Sequence, residues 1–456
     1  MEIKKNDIYE FKIDDLGAAG EGIGKINGYT IFVKDALIGD VILAKVIKTK
    51  KSYGYGRLLE ILKPSPHRAE ARCPVAKACG GCQIQHLDYR EQLAFKENKV
   101  RNLLKRVGKL DSFHMDPIIG MENPYFYRNK AQFPVGINKD GQIITGFYAG
   151  RTHSIIDTRH CYIQAPANEE IMETVRAWME AYQIQPYDET TGKGLIRHIL
   201  TRVGFKTGEI MVCLVVNGKN LPHSESLVQA LVQMNGMTSI SMNINQENTN
   251  VILGNEVVPL WGQNHITDYI GNVKYEISPL SFYQVNPVQT EVLYGKALEF
   301  AALQEGETVW DLYCGIGTIS LFLAQKASKV FGVEIVPQAI EDARRNARIN
   351  GFHNVEFFVG KAEEILPREY EKNHIYADVI VVDPPRKGCD QSLLDCMVKM
   401  QPKRIVYVSC DPATLARDLS VLTEGGYKVE RVQCVDMFPH SVHVETVCLL
   451  SRKTNG

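Results

Sequence analysis

The sequence lacks any long apolar run, and this absence excludes a chain that spans a membrane. None of its hydrophobic stretches approaches the roughly 18 residues that a transmembrane helix needs. Residues 1–7 are largely charged and polar, unlike the start of a secretory signal. Internal repeats and low-complexity segments are also missing. A cytoplasmic, soluble protein without a membrane partner is therefore predicted.

A large net charge is missing too, but the charge is unevenly distributed. The 456 residues carry 52 Lys and Arg against 53 Asp and Glu, and 45% of them are hydrophobic, which suits two to four globular domains. Residues 1–110 hold 21 basic and 13 acidic side chains, a net charge of +8, so the remainder carries −9. A basic segment of this kind suits a polyanion such as nucleic acid, although a solvated helix face would give the same count.

The eleven cysteines are an odd number, which argues against a disulfide framework and favours metal binding or catalysis. Cys73, Cys79 and Cys82 fall within ten residues, and Cys161 lies alone further along the chain. Three close thiols with a distant fourth are typical of a tetrahedral zinc site or a [4Fe–4S] cluster, and the spacing leaves both open.

The first region, residues 1–62, predicts a small β-barrel. Short apolar runs alternate with turns rich in Gly and Asp, which suits five strands of an oligonucleotide-binding-like barrel. Lysines and tyrosines are mixed late in this region, as on a surface that holds single-stranded nucleic acid, at Lys48, Lys50, Lys51, Tyr53 and Tyr55. The segment resembles a TRAM domain, an RNA-binding module, although the spacing alone fits any small barrel.

Beyond a Pro-containing linker at residues 63–66, the pattern changes twice. Residues 63–275 mix strands and helices and contain the cysteine pattern, so they predict a central α+β domain. From residue 276 onward, helices and strands begin to alternate, which predicts a doubly wound, Rossmann-like sheet. The predicted fold is therefore a multidomain α/β protein divided at residues 1–62, 63–275 and 276–456.

Two acidic positions in the third region predict a nucleoside-containing cofactor. The turn Asp311-Leu-Tyr-Cys-Gly-Ile-Gly-Thr318 lets the backbone approach a ligand but lacks the full spacing of a dinucleotide motif. Glu334 ends the next predicted strand and is placed to accept hydrogen bonds from ribose hydroxyls. Asp383 precedes two prolines that fix the backbone so that its carboxylate points into the crevice. These features suit S-adenosylmethionine, whose sulfonium favours nearby carboxylates.

Cys410 and Glu445 carry the predicted chemistry. Cys410 lies between a β-branched strand at residues 404–408 and a helix beginning near Pro412, so oriented N–H groups are expected to stabilise its thiolate. Glu445 lies in an apolar strand, where burial is expected to raise its pKa and make it a general base. A thiolate adding to C6 of uracil makes C5 nucleophilic, and a base must then remove the C5 proton. The pair thus predicts carbon methylation of a pyrimidine.

Five motifs together resemble the RNA uracil-5 methyltransferases, nearly from end to end of the chain. They are Ser281-Phe-Tyr-Gln-Val-Asn-Pro287, Asp311-Leu-Tyr-Cys-Gly-Ile-Gly317, Asp383-Pro-Pro-Arg-Lys-Gly388, Tyr407-Val-Ser-Cys-Asp-Pro412 and His443-Val-Glu445. The resemblance implies a Rossmann-like methyltransferase domain that depends on S-adenosylmethionine, with Cys410 as nucleophile and Glu445 as base.

The resemblance also implies the ligand contacts and the target. It assigns cofactor contacts to Gln284, Tyr313, Glu334 and Asp383, and it assigns the [4Fe–4S] cluster, rather than zinc, to Cys73, Cys79, Cys82 and Cys161. A TRAM domain with such a cluster implies a flipped loop uridine of 23S ribosomal RNA rather than of tRNA. The sequence departs from some members at Thr318 and Lys361, where an Asn contacts the cofactor, so neither position is assigned a role.

Two alternatives differ in substrate or in class. A DNA cytosine-5 methyltransferase would carry its nucleophile after a proline, whereas Cys410 follows Ser409, so DNA is not expected as a partner. A noncatalytic RNA-binding or iron–sulfur protein could retain the same fold. A monomer is expected in either case.

Overall fold

The computed structural model describes residues 3–150 and 152–453, so the outermost residues of the predicted terminal domains lie outside the described residues. The strands are β1 (Ile8–Leu16), β2 (Gly22–Ile26), β3 (Tyr29–Val33), β4 (Val41–Thr49), β5 (Tyr53–Lys63), β6 (His114–Ile119), β7 (Lys130–Ile137), β8 (Ile143–Tyr148), β9 (Ile155–Asp157), β10 (Ile196–Val203), β11 (Ile210–Val216), β12 (Met237–Ile244), β13 (Glu256–Gly262), β14 (Ile266–Ile270), β15 (Val273–Ile277), β16 (Thr308–Leu312), β17 (Lys329–Glu334), β18 (Val355–Val359), β19 (Val379–Val382), β20 (Arg404–Ser409), β21 (Tyr427–Val435) and β22 (Glu445–Arg452). The helices are α1 (Tyr89–Arg106), α2 (Ala167–Ala181), α3 (Ser224–Leu231), α4 (Pro287–Ala301), α5 (Thr318–Ala324), α6 (Pro337–Ile349), α7 (Ala362–Lys372), α8 (Gln391–Met400) and α9 (Pro412–Glu424). Within the described ranges, no helix has both the length and the apolar composition that crossing a membrane requires.

The N-terminal strands close into a barrel in the order β1-β2-β3-β5-β4, which confirms the predicted five-stranded barrel. The alternation along β4 places Ile42, Ala44 and Val46 inside, while their neighbours face outward. Closure pairs the edge strands with each other, so the small barrel presents no open ladder of backbone groups.

The central region forms a seven-stranded sheet in the order β13-β12-β11-β10-β7-β8-β9. One face is covered by α2 and α3, whose Val175 and Leu227 are fully buried. On the other face, Leu200 and Cys213 belong to the same apolar cluster as residues of the C-terminal domain. The central sheet therefore packs directly against the domain that follows it.

The C-terminal sheet has eight strands in the order β18-β17-β16-β19-β20-β22-β21-β6. The strands β16 to β20 are mutually parallel, and β22 runs antiparallel between β20 and β21. Helices α4, α5 and α6 cover one face, while α1, α7, α8 and α9 cover the other. Because chain order reverses between β16 and β19, a crevice opens at the carboxyl ends of these strands.

Strand β6 belongs to this C-terminal sheet and helix α1 packs against it, although the sequence predicted both to lie in the central region. Asp88 caps the N-terminus of α1, accepting a hydrogen bond from the N–H of Arg90 at 3.0 Å. Val100 and Leu104 of α1 are buried in the C-terminal core, and β6 pairs in parallel with β21. Residues 89–119 thus lie with the third region, and the division at residues 62 and 275 stays a prediction.

Candidate active site

A cavity of about 1330 Å³ opens at the carboxyl ends of the parallel strands. The predicted site residues that line it come from six separate segments of the chain: Gln284, Tyr313, Glu334, Asp383, Cys410 and Glu445. The structure therefore brings together the six positions outside the cysteine pattern to which the sequence assigned chemistry.

The strand register places Cys410 and Glu445 beside each other. Strands β20 and β22 are antiparallel, and their last pair joins Ser409 to Thr446. Cys410 follows that pair on one strand and Glu445 precedes it on the other, so the two residues are neighbours across the sheet. Glu445 is the first residue of β22 rather than an interior one, because the chain up to Val444 forms a loop.

Asp383, which is half-buried, adds a second carboxyl next to this pair. Glu445 is 3% exposed, and burial together with the nearby charge of Asp383 raises its pKa, as expected from the sequence. Burial also raises the pKa of Asp383. The guanidinium of Arg386 acts in the opposite direction on Glu445. Each carboxyl therefore resists ionisation while the other is charged.

The sequence led us to expect that N–H groups at the start of α9 stabilise the Cys410 thiolate, but the net pKa of this thiol is raised. Burial, followed by the charges of Glu445 and Asp383, raises the pKa of Cys410 to about 11. The side chain of Asp411 accepts hydrogen bonds from two N–H groups in the first turn of α9, at 2.9 and 3.2 Å. These donors are therefore engaged with Asp411, while two acidic side chains face the thiol.

The part of the cavity around Glu334 and Tyr313 has the features of a nucleoside site. Glu334 accepts hydrogen bonds from the N–H groups of Gly315, at 3.2 Å, and Val336, at 3.0 Å. Tyr313 has a φ of +69°, and Gly317 one of +82°, so the chain turns sharply after β16. The hydroxyl of Tyr313 is buried without a hydrogen-bond partner among the residues that the structure describes. A carboxylate with free lone pairs and an unpartnered hydroxyl fit the ribose and polar groups of S-adenosylmethionine.

Gln284 lies in a loop that the central sheet holds in place. The main-chain oxygen of Gln284 accepts a hydrogen bond from the amide of Asn129 at 3.0 Å. Arg202 donates to the main-chain oxygen of Ser281 in the same loop. The central region thus positions one wall of the cavity, and the side chain of Gln284 lies on that wall.

The four predicted cluster cysteines come together at the surface of the central region. Burial and then the neighbouring thiols raise the pKa of Cys82 to about 12, and burial raises that of Cys161 to about 11. Cys73 and Cys79 are among the thiols that raise these values. Across residues 3–150 and 152–453, however, no group of three or more His, Cys, Asp or Glu residues has an arrangement that could hold a metal ion. The cysteines converge, but a metal site is not shown.

Residues 73–84 carry Cys73, Cys79 and Cys82, and we call them the cysteine segment. This segment borders the cavity, which the sequence did not predict. Gly80 and Gly81, between Cys79 and Cys82, line the cavity together with Arg128. A Cβ at Gly80 would lie 3.2 Å from the main-chain oxygen of Tyr148 and 3.2 Å from the Cα of Gly150, so a side chain here would require the facing backbone to shift. One cavity is therefore lined by Glu334 and Tyr313, by Cys410 and by the cysteine segment.

Three further residues line the cavity although the sequence assigned no individual role to them. Arg386 is the cation whose charge lowers the pKa of both Cys410 and Glu445. Phe282 lines the cavity with 70% of its surface exposed, and His443 lies on the loop before Glu445. All three belong to motifs that the sequence singles out, so the available signal was their position beside the assigned residues.

Comparison with family models agrees with the architecture. Residues 88–453 match the model described as tRNA (Uracil-5-)-methyltransferase, and residues 4–59 match the TRAM domain. An uncharacterized RNA methyltransferase of Clostridium tetani is 53% identical over 452 residues, covering 99% of this chain and 98% of that protein. A second uncharacterized RNA methyltransferase, from Halalkalibacterium halodurans, is 51% identical with the same coverage of both chains.

Among solved structures, this chain is similar to the Pyrococcus abyssi tRNA (uracil-54, C5)-methyltransferase in complex with S-adenosyl-L-homocysteine. The two share 29% sequence identity and a TM-score of 0.78, and the match covers 97% of this chain and 100% of the other. The fold is therefore shared over nearly the whole length, including the N-terminal barrel.

Proposed function

The chain belongs to the tRNA (uracil-5-)-methyltransferase family and carries a TRAM domain, and from this premise we propose that it methylates C5 of a uridine in RNA with S-adenosylmethionine as donor. The observation that carries the proposal is the adjacency of Cys410 and Glu445 across two neighbouring strands. Both lie in one cavity with Glu334, so a nucleophile, a base and a nucleoside-binding carboxylate share a single space.

The proposed roles of Cys410 and Glu445 follow from the chemistry of the ring. The Cys410 thiolate adds to C6 of uracil, and the electrons of the C5–C6 double bond move toward O4. Bound S-adenosylmethionine would supply the electrophilic methyl group that C5 then receives. Glu445 removes the proton remaining on C5, the double bond re-forms, and the thiolate leaves with the electrons of the S–C6 bond.

Asp383 and Arg386 tune this pair in opposite directions. The charge of Asp383 raises the pKa of Glu445, so that the ionised base binds a proton more strongly. Arg386 lowers the pKa of Cys410 and thereby favours the attacking thiolate. We assign Gln284, Tyr313, Glu334 and Asp383 to contacts with the methyl donor, since all four line the cavity.

We propose that Cys73, Cys79, Cys82 and Cys161 hold a [4Fe–4S] cluster. The convergence of these thiols supports this, since Cys82 and Cys161 lie near enough to the other cysteines to be affected by their charge, and a bound cation would stabilise the thiolates that ligation requires. Backbone N–H groups of Ile163 and Gln164 also stabilise a Cys161 thiolate. The role of the cluster would be structural, since methylation requires no electron transfer.

The proposed target is a loop uridine of 23S ribosomal RNA, with tRNA as the alternative. The barrel does not by itself separate the two, since the archaeal enzyme named for tRNA aligns with 97% of this chain. Mass mapping of C5-methyluridine in ribosomal RNA and tRNA from cells lacking this protein separates them. Loss of the modification from tRNA alone would overturn the ribosomal assignment.

Covalent trapping tests the enzymatic proposal directly. RNA containing 5-fluorouridine has no C5 proton to remove, so it should form an adduct that survives denaturing electrophoresis and depends on Cys410. RNA binding of ordinary strength without any adduct would instead favour a noncatalytic RNA-binding protein.

A further inference from the structure

The chain that enters Glu445 forms part of the cavity wall. We call residues 436–444, which connect β21 to β22, the base loop. Its Phe438, Ser441 and His443 line the cavity, and Glu445 follows directly after it. The placement of this loop therefore affects both the general base and the space beside the target ring.

Helix α1 holds the start of the base loop through a buried charge. Lys96 is 0% exposed, and its ammonium donates to the carboxylate of Asp436 at 2.5 Å and to the main-chain oxygen of Phe438 at 2.9 Å. The hydroxyl of Tyr89, also in α1, donates to the other oxygen of Asp436 at 2.8 Å. A buried ion pair is weak support for stability but restricts geometry strongly, because either charge is costly to bury without its partner.

The same helix holds the middle of the base loop at His440. The Oε1 atom of Gln92 accepts a hydrogen bond from the N–H of His440 at 2.9 Å, and its Nε2 lies 3.2 Å from the Nδ1 of His440. His440 has a φ of +67°, a conformation that a residue other than glycine keeps only when its surroundings hold it there. Gln92 therefore fixes a turn of the loop that would otherwise relax.

The cysteine segment holds the base loop from the other side. The N–H of Ile84 donates to the main-chain oxygen of His440 at 3.0 Å, and the side chain of Gln83 accepts from the N–H of Val442 at 3.4 Å. Both residues follow directly after Cys82 in the chain. The loop is thus fixed between α1 and the segment that carries three of the four clustered cysteines.

We propose that Lys96 and Gln92 are positioning residues for removal of the C5 proton. They hold the base loop, together with Gln83 and Ile84, so that Glu445 faces C5 of the target ring. Cys410 follows β20 and lies in a different loop, so these contacts do not hold the nucleophile itself. The inference rests on the proposed function and extends it to residues that lie outside the cavity.

The chemistry gives this role a signature. The thiolate can leave C6 only after the base removes the proton from C5. A displaced Glu445 therefore leaves a methylated RNA covalently attached to Cys410, even when the RNA contains ordinary uridine. A general loss of folding or of RNA binding would instead lower the yield of every adduct.

Two variants test the proposal, with one control. The variants are Gln92→Leu and the charge-balanced double substitution Lys96→Met with Asp436→Asn, since Lys96→Met alone leaves a buried carboxylate unpaired. The control is Lys105→Met, the same substitution at an exposed position of α1. For each protein, single-turnover release of methylated RNA, accumulation of adduct with uridine RNA, and the rate of adduct formation with 5-fluorouridine RNA are measured.

We expect both variants to release methylated RNA about 10- to 100-fold more slowly and to accumulate adduct with uridine RNA, because small displacements of a catalytic group cost that much. Their rates of trapping by 5-fluorouridine RNA should stay within about twofold of the unsubstituted protein, and the control should match it throughout. Equal losses in release and trapping, or no change in either, would overturn the positioning role. Failure of the unsubstituted protein to be trapped would instead overturn the proposed function.

Discussion

Cys410 and Cys82 both have raised thiol pKa values, but they differ in what surrounds them. Cys410 lies at the edge of a rigid parallel sheet with carboxyls as its charged neighbours. Cys82 lies in an irregular segment with other thiols as its neighbours. The acidic surroundings of Cys410 suit a transient bond to the substrate, because they favour the neutral thiol that forms again after that bond breaks. The surroundings of Cys82 suit a permanent ligand, because they become stable when a cation neutralises several thiolates together.

The supporting structure differs in the same way. Cys410 directly follows β20, which is paired along its length with β19 and β22. The cysteine segment consists mainly of turns and bends. Its Cys79 pairs with Ala149 of the central region in an isolated β-bridge. Loss of the Cys410 side chain should therefore affect the chemistry, whereas loss of a side chain in the cysteine segment should affect local folding.

The substitution Cys410→Ser should produce the largest effect on chemistry. Methyl transfer should fall by about 10³-fold or more, since a hydroxyl cannot replace the thiolate in adding to C6. Methylated RNA measured in single turnover and trapping by 5-fluorouridine RNA report the loss. Cys396→Ser, at a buried cysteine of α8 outside the cavity, is the matched control and should keep its activity. If 5-fluorouridine RNA still traps the Cys410→Ser variant, Cys410 is not the nucleophile.

The substitution Glu445→Gln should slow release of methylated RNA by about 10²- to 10⁴-fold, the usual contribution of a general base. Because addition by Cys410 precedes proton removal, adduct with ordinary uridine RNA should accumulate. Denaturing electrophoresis with labelled RNA measures it. Glu170→Gln, at an exposed glutamate of α2, is the control and should show no accumulation. An inactive Glu445 variant that forms no adduct would place the defect before the base step.

The pH dependence of adduct formation tests the acidic environment of Cys410. Its thiol pKa of about 11 means that the thiolate fraction rises with pH, by up to about tenfold per unit, throughout the neutral range. Glu445 raises that pKa only where it is ionised, which is above its own pKa of about 8, so Glu445→Gln should speed trapping at the alkaline end of the range and leave it little changed at the acidic end. Rates measured between about pH 6 and pH 9 give both profiles. Identical profiles for the two proteins would show that the carboxylate does not influence the thiol.

The substitution Cys82→Ser should affect the chemical step least and local folding most. We expect the variant to lose bound iron and to unfold at a lower temperature, because three thiols remain without the cation that neutralises them. Elemental analysis, the visible absorption of the cluster and thermal unfolding measure this, with Cys396→Ser again as control. Zinc in place of iron in the unsubstituted protein would correct the cluster assignment. Removal of the cluster with no change in folding or RNA affinity would contradict its structural role.

Local patterns in the sequence were sufficient for the elements that carry the chemistry. The apolar run before Cys410 and the proline after it predicted a strand, a loop and a helix, and the structure has β20 and α9 in these places. The alternating runs of the first 62 residues predicted the barrel in the same way. These predictions were correct because the periodicity of strands and helices, their turns and their caps all depend on residues close together in the chain.

The electrostatics of Cys410 could not be predicted in this way. A helix N-terminus alone lowers a thiol pKa, and the sequence indicated one immediately after Cys410. The opposite shift arises first from burial of the thiol and then from the charge of Glu445, which lies beside it although it is 35 residues away in the chain. Burial and a charge brought in by a distant strand together outweigh the local pattern.

The sequence by itself determined the kinds of element, the spacing of the cysteines and the residue types available for catalysis. Tertiary structure alone decided that Glu445 faces Cys410, that α1 holds the base loop, and that the cysteine segment borders the same cavity. The physical reason is that each of these depends on register and packing between segments far apart in the chain. Periodicity within one segment carries no information about which distant segment will pack against it.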